Sequence, residues 1–196
     1  MKTVQRRKTH TSPPENFYER IKPKLLSRVG SELSLAYRVL ELGCGGCELA
    51  EMLNQRYRQR VTGVDVNDAS FPRRDDPARA RSPLRCVRAN AEQLGFLREG
   101  AVDAAVSVWA LHEMDHPLAV LREAYRVLRP GGEMLVVDFP RGSLAQTLWN
   151  ERYYSPSEVG RMLAKAGFKQ VRVKTIERRH ILWATAFRKP AEVLAS

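Results

Sequence analysis

Val39-Leu40-Glu41-Leu42-Gly43-Cys44-Gly45-Gly46-Cys47-Glu48-Leu49-Ala50 reads as a short apolar strand that runs into a glycine-rich turn and straight on into a helix. The helix is announced by Leu49, Met52, Leu53 and Tyr57, which recur with the period of one helical face. A strand, a glycine turn and a helix in succession bring a polar ligand close to the free N–H groups of a helix N-terminus. Glycine is required there because a Cβ blocks that approach and because tight turns use positive φ. The next element, Val61-Thr62-Gly63-Val64-Asp65-Val66, is a second strand ending in an acid 22 residues beyond Gly43. In a βαβ unit that acid lies at the C-terminal end of the neighbouring strand, within reach of a ribose diol, and a carboxylate accepts both hydroxyl hydrogens. The alternative for Asp65 is a surface acid in a loop.

At these residues the chain resembles the class I S-adenosylmethionine-dependent methyltransferases. Glu41-Leu42-Gly43-Cys44-Gly45-Gly46-Cys47 is similar to that family's acid-x-Gly-x-Gly-x-Gly turn, with Cys47 where the third glycine usually stands. The resemblance continues through Asn90-Ala91-Glu92, Val102-Asp103, Leu111-His112 and Leu128-Arg129-Pro130-Gly131-Gly132, over about three quarters of the chain. It implies an α/β fold, Rossmann-like and doubly wound, with a mostly parallel seven-stranded sheet, an antiparallel last strand and helices on both faces. It also implies S-adenosyl-L-methionine as cofactor. Residues Glu41, Gly43, Cys44, Gly45, Asp65, Val66, Asn90, Ala91, Glu92, Val108 and Trp109 would bind it, with Asn90 taking the adenine amino group on its amide oxygen.

The 196 residues suit one domain with a sizeable core. The expected division is a flexible basic tail over 1–14 and a single domain over 15–196. Within it, 15–37 form an N-terminal helical cap, 38–139 the cofactor-binding core, and 140–196 a substrate-side segment and C-terminal hairpin. No run of 18 apolar residues is present, so no membrane span is expected. The basic N-terminus has no apolar region behind it, which argues against a secretory signal. Three cysteines, an odd number, argue against a disulfide framework and for a reducing cytoplasm. Cys44 and Cys47 form a C-x-x-C, but a tetrahedral metal site needs about four ligands and the glycine turn already explains the spacing, so no metal is expected. The net charge of +11 favours anionic partners, nucleic acid among them, without choosing one.

Phe17, Ile21, Leu25 and Val29 repeat at fours and predict an amphipathic helix, or two short ones broken near Pro23. Asn67 to Pro83 is rich in Arg, Asp, Pro and Ala, and Arg73, Arg74, Arg79, Arg81, Arg85 and Arg88 make this the most basic internal stretch; it is read as solvated surface in preference to phosphate contact. Leu84 to Ala89 and Ala101 to Ala110 read as strands, the second buried on both faces. Pro117 to Leu128 reads as a helix stopped by Pro130-Gly131-Gly132, with a strand from Met134 to Phe139. Glu113 and Asp115 are read as caps of that helix in preference to an acidic pair. Ser155-Pro156-Ser157-Glu158 is a capping box. Two final strands follow, turning at Arg178-Arg179-His180.

Methyl transfer from a sulfonium is an in-line displacement in which the cofactor carries the activation and the protein supplies alignment and a water-poor site. His112 is the candidate general base, because its unperturbed pKa permits proton pickup near neutrality; holding a loop is its other reading. Phe17, Tyr18, Trp149 and Tyr153 are candidates for the substrate wall, or for plain core packing. The chain lacks the Asn/Asp-Pro-Pro-Tyr/Phe run and the Pro-Cys nucleophile that the resemblance would require for methylating nucleic-acid bases. A small-molecule acceptor is therefore favoured over RNA or a ribosomal protein, with a non-catalytic cofactor-binding protein as the third reading.

Overall fold

Apolar side chains alternate between the two faces of the central strands, and that alternation dictates a sheet covered on both sides. The structure, a computed structural model, describes residues 16–72 and 83–191; the tail over 1–14 and Arg73, Arg74, Arg79 and Arg81 lie outside the described residues. In chain order the elements are α1 (Asn16–Glu32), β1 (Arg38–Leu42), α2 (Glu48–Tyr57), β2 (Arg60–Asp65), β3 (Arg85–Arg88), β4 (Val102–Val108), a 3-10 turn (Leu111–Glu113), α3 (Pro117–Val127), β5 (Leu128–Asp138), α4 (Leu144–Trp149), α5 (Pro156–Lys165), β6 (Lys169–Ile176) and β7 (Ile181–Phe187). The strands form one sheet of seven in the order β3-β2-β1-β4-β5-β7-β6, with β7 antiparallel to both neighbours and the other pairs parallel. This is the expected doubly wound architecture. The order reverses between β1 and β4, and a sheet of this kind opens a crevice at the C-terminal ends of the strands where it reverses.

Val39, Val106, Leu135, Val137 and Trp183 face α1, α2 and α4, whereas Leu40, Ala105, Met134, Val136 and Leu182 face α3 and α5. Leu40, Leu42, Met134 and Leu135 are fully buried, and each such side chain contributes about 1.5–3 kcal/mol relative to exposure. Val102 and Ala104 have the same parity yet pack on opposite faces, because the β4–β5 register shifts between them. Asp103 sits at that irregularity and accepts from the Arg38 backbone N–H at 2.8 Å and from Arg129 Nε at 3.0 Å, closing the bottom of the sheet.

Three local outcomes go beyond the sequence reading. First, of the two readings open at Pro23 the structure takes the single helix: α1 runs unbroken through it. Tyr18, Leu25, Leu26 and Val29 are buried along it, enough to outweigh a helix-interior proline costing about 3 kcal/mol. Second, β5 begins at Leu128 and takes in the Pro-Gly-Gly, so α3 passes into it with no separate loop. Arg188 makes this workable: its Nη1 donates to the carbonyls of Arg126 and Leu128, both at 2.7 Å, and so satisfies the end of α3.

Third, the cysteines are not all free. Cys47 and Cys86, 39 residues apart, are joined as a disulfide, and Cys44 stays free with its sulfur 3.5 Å from that of Cys47. The physical reason is register. Cys86 pairs with Gly63 in the parallel β2–β3 ladder, and Gly63 leaves the room that the sulfurs fill: a Cβ there would lie 2.9 Å from Cys44 Sγ and 3.4 Å from Cys47 Sγ. Elsewhere local signals are met. Ser155 Oγ accepts from the Glu158 N–H, and the Glu158 carboxylate accepts from the Ser155 N–H at 2.7 Å and from its hydroxyl at 2.8 Å; the two bonds to the carboxylate hold it down at about 2. No helix among the described residues is long and apolar enough to cross a membrane.

Candidate functional site

The turn between β1 and α2 needs glycine at its first position for two reasons. Gly43 has φ +72°, and a Cβ on it would fall 2.4 Å from the Cβ of Ala110. Its N–H and that of Cys44 both donate to the Val64 carbonyl, at 2.9 and 3.0 Å, which ties the turn to β2. Asp65, at the end of β2, accepts from the Gly45 N–H at 2.9 Å and from the Asn67 N–H at 2.9 Å. Each of its oxygens keeps a further lone pair for a ligand. Cys47 takes the left-handed φ of 62° at the start of α2, so a cysteine fills a glycine-like conformation.

Around this turn lies a cavity of about 490 Å³, a size suited to a cofactor. β1 and its turn contribute Glu41, Gly43, Cys44 and Gly45, and the end of β2 contributes Asp65 and Val66. Asn90, Ala91 and Glu92 follow β3, and Val108 and Trp109 close β4. The structure thus brings together every residue that the sequence assigned to cofactor binding. Among the described residues, Lys22 of α1, already paired with Glu48 at 2.5 Å, is the one base on the walls, against Glu41, Glu48, Asp65, Glu92, Glu113 and Asp115.

The electrostatics of these groups are unequal. Glu41 is only 4 % exposed and its Oε2 has no partner. Burial pushes its carboxyl up to about 8, with the charges of Asp65 and Glu48 adding and the Ala50 N–H opposing. Burial likewise pushes the Cys44 thiol up to about 12, so it is neutral and a poor nucleophile. Asn90 Oδ1 accepts from the Glu92 N–H at 2.8 Å and keeps a second lone pair, so the amide oxygen can still accept from an amino group. Trp109 has φ 56°, stacks on Phe139 with centroids 5.2 Å apart, and keeps its indole N–H buried without a partner.

His112 lies beside the cavity rather than in its wall. Its ring packs against Phe139 and Tyr153, and its side chain is almost wholly covered. The Asp138 carboxylate accepts from its backbone N–H at 3.0 Å and meets Nδ1 at 2.7 Å; Glu151 Oε2 meets Nε2 at 3.2 Å. Glu113, which does line the cavity, has Oε1 3.8 Å from the same Nε2. Burial pulls the His112 pKa down, but Asp138, by hydrogen bond and by charge, and then Glu113 and Glu151 hold it above the ordinary histidine value. His112, Glu113 and Glu151 bring ligand-type atoms within 4.8 Å of one another, a spacing that pairing a charged imidazole with carboxylates also produces. Neither Glu113 nor Asp115 occupies the cap position of α3, which falls to His116, because both acids turn to the cavity.

The four residues proposed for the substrate wall are drawn into one aromatic cluster next to the cavity. Tyr18 packs on Phe139 at 4.8 Å and on Trp149 at 5.2 Å, and its hydroxyl accepts from the Ala145 N–H at 2.8 Å, pinning α4 to α1. Phe17 lies edge-on to Tyr18 and His180. Tyr153 is buried against Phe139 and His112, whereas Trp149 is exposed by nearly half. Sequence reasoning missed Asp138 and Glu151. Asp138 carried a signal, an acid closing a buried strand at the ligand-binding edge of the sheet. Glu151 carried none, being 39 residues from His112 in an irregular segment.

Comparison with known proteins follows the same lines. A family model described as a methyltransferase domain matches residues 40–136. An uncharacterized methyltransferase of Mycobacterium bovis is 36% identical over 112 residues, 57% of this chain; the match spans 55% of that relative's own length. A ubiquinone biosynthesis O-methyltransferase of Chromobacterium violaceum is 30% identical over 168 residues, covering 75% of this chain and 71% of that protein. Among solved structures, the [4+2]-cyclase SpnF superposes with a TM-score of 0.78 at 19% identity, over 92% of this chain and 86% of that one. The Burkholderia thailandensis 1,6-didemethyltoxoflavin-N1-methyltransferase, solved with bound 1,6-didemethyltoxoflavin and S-adenosylhomocysteine, superposes with a TM-score of 0.65 at 22% identity over 93% of each chain. At such identities these two establish the fold.

Proposed function

The chain belongs to the class I S-adenosylmethionine-dependent methyltransferases, and on that premise we propose that it moves the donor's methyl group to a small, flat, largely apolar acceptor. When bound, S-adenosylmethionine supplies an electrophilic methyl on a sulfonium, so the chain's own work is to bind, align and exclude water. The residues present fit that group. Asp65 offers a carboxylate for a ribose diol, and the unpartnered Oε2 of Glu41 offers a buried acid for a cationic end. Asn90 offers its side-chain amide to the adenine ring, and Gly45, with no described atom within 4 Å of where a Cβ would stand, lets the ligand come close to the backbone.

The observation that carries the acceptor class is the composition of the cavity and its surroundings. Acidic side chains outnumber the one paired lysine among the described lining residues, and although Glu41 is largely protonated the others set a field that attracts the cationic donor and repels a polyphosphate chain. Its neighbour is the aromatic cluster of Tyr18, Trp109, Phe139, Trp149 and Tyr153, the kind of apolar wall that flat organic ligands select. The relatives point the same way, since one is named for O-methylation in ubiquinone biosynthesis. The net charge of +11 supports RNA as the second reading.

Methyl-labelled S-adenosylmethionine, purified protein and a cell extract test this directly. Label in solvent-extractable metabolites supports the proposal. Label in nuclease- or protease-sensitive polymer replaces it with the second reading.

A further inference from the structure

His112 has one ring nitrogen committed and one held by a removable partner. Nδ1 faces Asp138, which is itself buried and fixed at the end of β5. Nε2 faces Glu151, whose side chain is 50% exposed while that of His112 is 3% exposed. The backbone of Glu151 is anchored: Gln146 Nε2 donates to its carbonyl at 2.8 Å, and Asn150 before it takes the left-handed φ of 52° that ends α4. Its carboxylate is not anchored in the same way. It rests on His112 and on the Tyr153 hydroxyl, which donates to Oε2 at 3.2 Å. Half of that side chain already lies in water, so solvent takes over the carboxylate's hydrogen bonds when it turns outward.

The place that Glu151 occupies is an oxyanion site with flat walls. Two donors converge on Oε2, the His112 ring and the Tyr153 hydroxyl. Burial and then the charge of Glu151 raise the Tyr153 pKa well above the ordinary phenol value, so that hydroxyl remains a donor. Phe139 and the Tyr153 ring flank the imidazole, at 5.6 and 4.7 Å between centroids, and Trp109 continues the surface toward the cavity by stacking on Phe139. The rim at Glu113, 3.8 Å from Nε2, already belongs to the cavity wall.

We propose that Glu151 is an internal competitor that holds the acceptor's place: its carboxylate occupies the position against His112 Nε2 and Tyr153 Oη that an ionisable hydroxyl on a planar acceptor takes when Glu151 swings out to solvent. The inference rests on the small-molecule reading above and adds to it which atom of the chain meets the acceptor and which residue must leave. Both ring nitrogens of His112 face carboxylates in the resting protein, Nδ1 that of Asp138 and Nε2 that of Glu151. Once Glu151 has left, one carboxylate fewer faces the ring, so His112 releases its Nε2 proton to water more readily and can accept the hydroxyl's proton instead. Glu151 is therefore a specificity-determining residue that acts through the vacancy it leaves.

The probe is 4-nitrophenol, whose phenolate absorbs visible light, with nitrobenzene as the analogue lacking the hydroxyl. Both are titrated into the full chain, wild type, Glu151→Gln and Glu151→Ala, and the His112 ring signals are followed by NMR. Expected are at least tenfold tighter binding of 4-nitrophenol to Glu151→Ala than to wild type, a smaller gain for Glu151→Gln, and unchanged nitrobenzene affinity. The bound probe should absorb as phenolate at a pH where the free probe is largely protonated, and it should shift the His112 signals. Equal gains for nitrobenzene would reduce Glu151 to a steric plug and overturn the proposal, as would an affinity for 4-nitrophenol that ignores residue 151. Cofactor titration and the labelled-extract experiment on the same proteins separate the two layers. Metabolite label with a probe indifferent to Glu151 sinks this inference alone, whereas polymer label removes the small-molecule reading and this inference with it.

Discussion

Asp138 accepts both from the backbone N–H of His112, at 3.0 Å, and from its ring at Nδ1, at 2.7 Å. One carboxylate thereby sets the position of the residue, the rotation of its ring and the nitrogen left over for chemistry, an arrangement in which the second partner controls the first.

Asp138→Asn keeps an oxygen in place and removes the charge. The His112 pKa should fall, as read from its ring protons by NMR, and turnover should drop by about 10²–10⁴, the span of a lost or misoriented general base. A stability signature accompanies this. His112 has its folded pKa raised, so its contribution is fully present below the unfolded value of about 6.5 and is lost as pH rises through the folded value. Urea unfolding on either side of that window should show the loss in wild type and not in the variant.

Asp65→Ala removes the carboxylate that offers itself to a ribose and also accepts from the Gly45 N–H. Hydrogen bonds to charged groups contribute about 1.5–3 kcal/mol, so the cofactor dissociation constant should rise by about 10- to 100-fold in calorimetry. Near-normal affinity would remove the ribose assignment.

Glu41, with its carboxyl at about 8, is largely protonated at pH 7. If it receives the cationic end of the cofactor, binding ionises it and releases a proton. Calorimetry at pH 7 in buffers of different ionisation enthalpy should detect that release, and Glu41→Gln should abolish it. The sign of the stability effect is fixed too: a raised acid costs stability as pH climbs from its unfolded value of about 4.3 toward 8, so Glu41→Gln should flatten that decline.

Cys47→Gly relieves a left-handed backbone, φ 62°, and deletes a cross-link closing 39 residues. Cofactor affinity in dithiothreitol should be kept or improved. In oxidised protein the variant should be less stable than wild type by about 2–4 kcal/mol, and dithiothreitol should lower wild type while leaving the variant unmoved. Collapse of affinity in the reduced proteins would give Cys47 a role of its own in the site.

Much of this molecule was legible before any coordinates. The cavity walls from Glu41 to Trp109 were readable because each sits at the C-terminal end of a strand whose apolar run marks it, and the doubly wound topology sends those ends to one edge. The capping box at Ser155 was readable because its chemistry spans three residues. Pro23 left two readings open, since its local penalty had to be weighed against burial along α1 that only packing reveals.

By itself, the sequence determined the order of strands and helices, the glycine turn, and the acid at Asp65, because these follow from periodicity and spacing within some twenty residues. Tertiary structure alone decided three things. It put Cys86 against Cys47 through the β2–β3 register and the space at Gly63. It drew Phe17, Tyr18, Trp149 and Tyr153 into a cluster beside the cavity. And it set His112 between Asp138 and Glu151, residues 26 and 39 positions away. Contacts at such separations depend on how strands and loops converge in space, and local chain chemistry carries no record of that convergence.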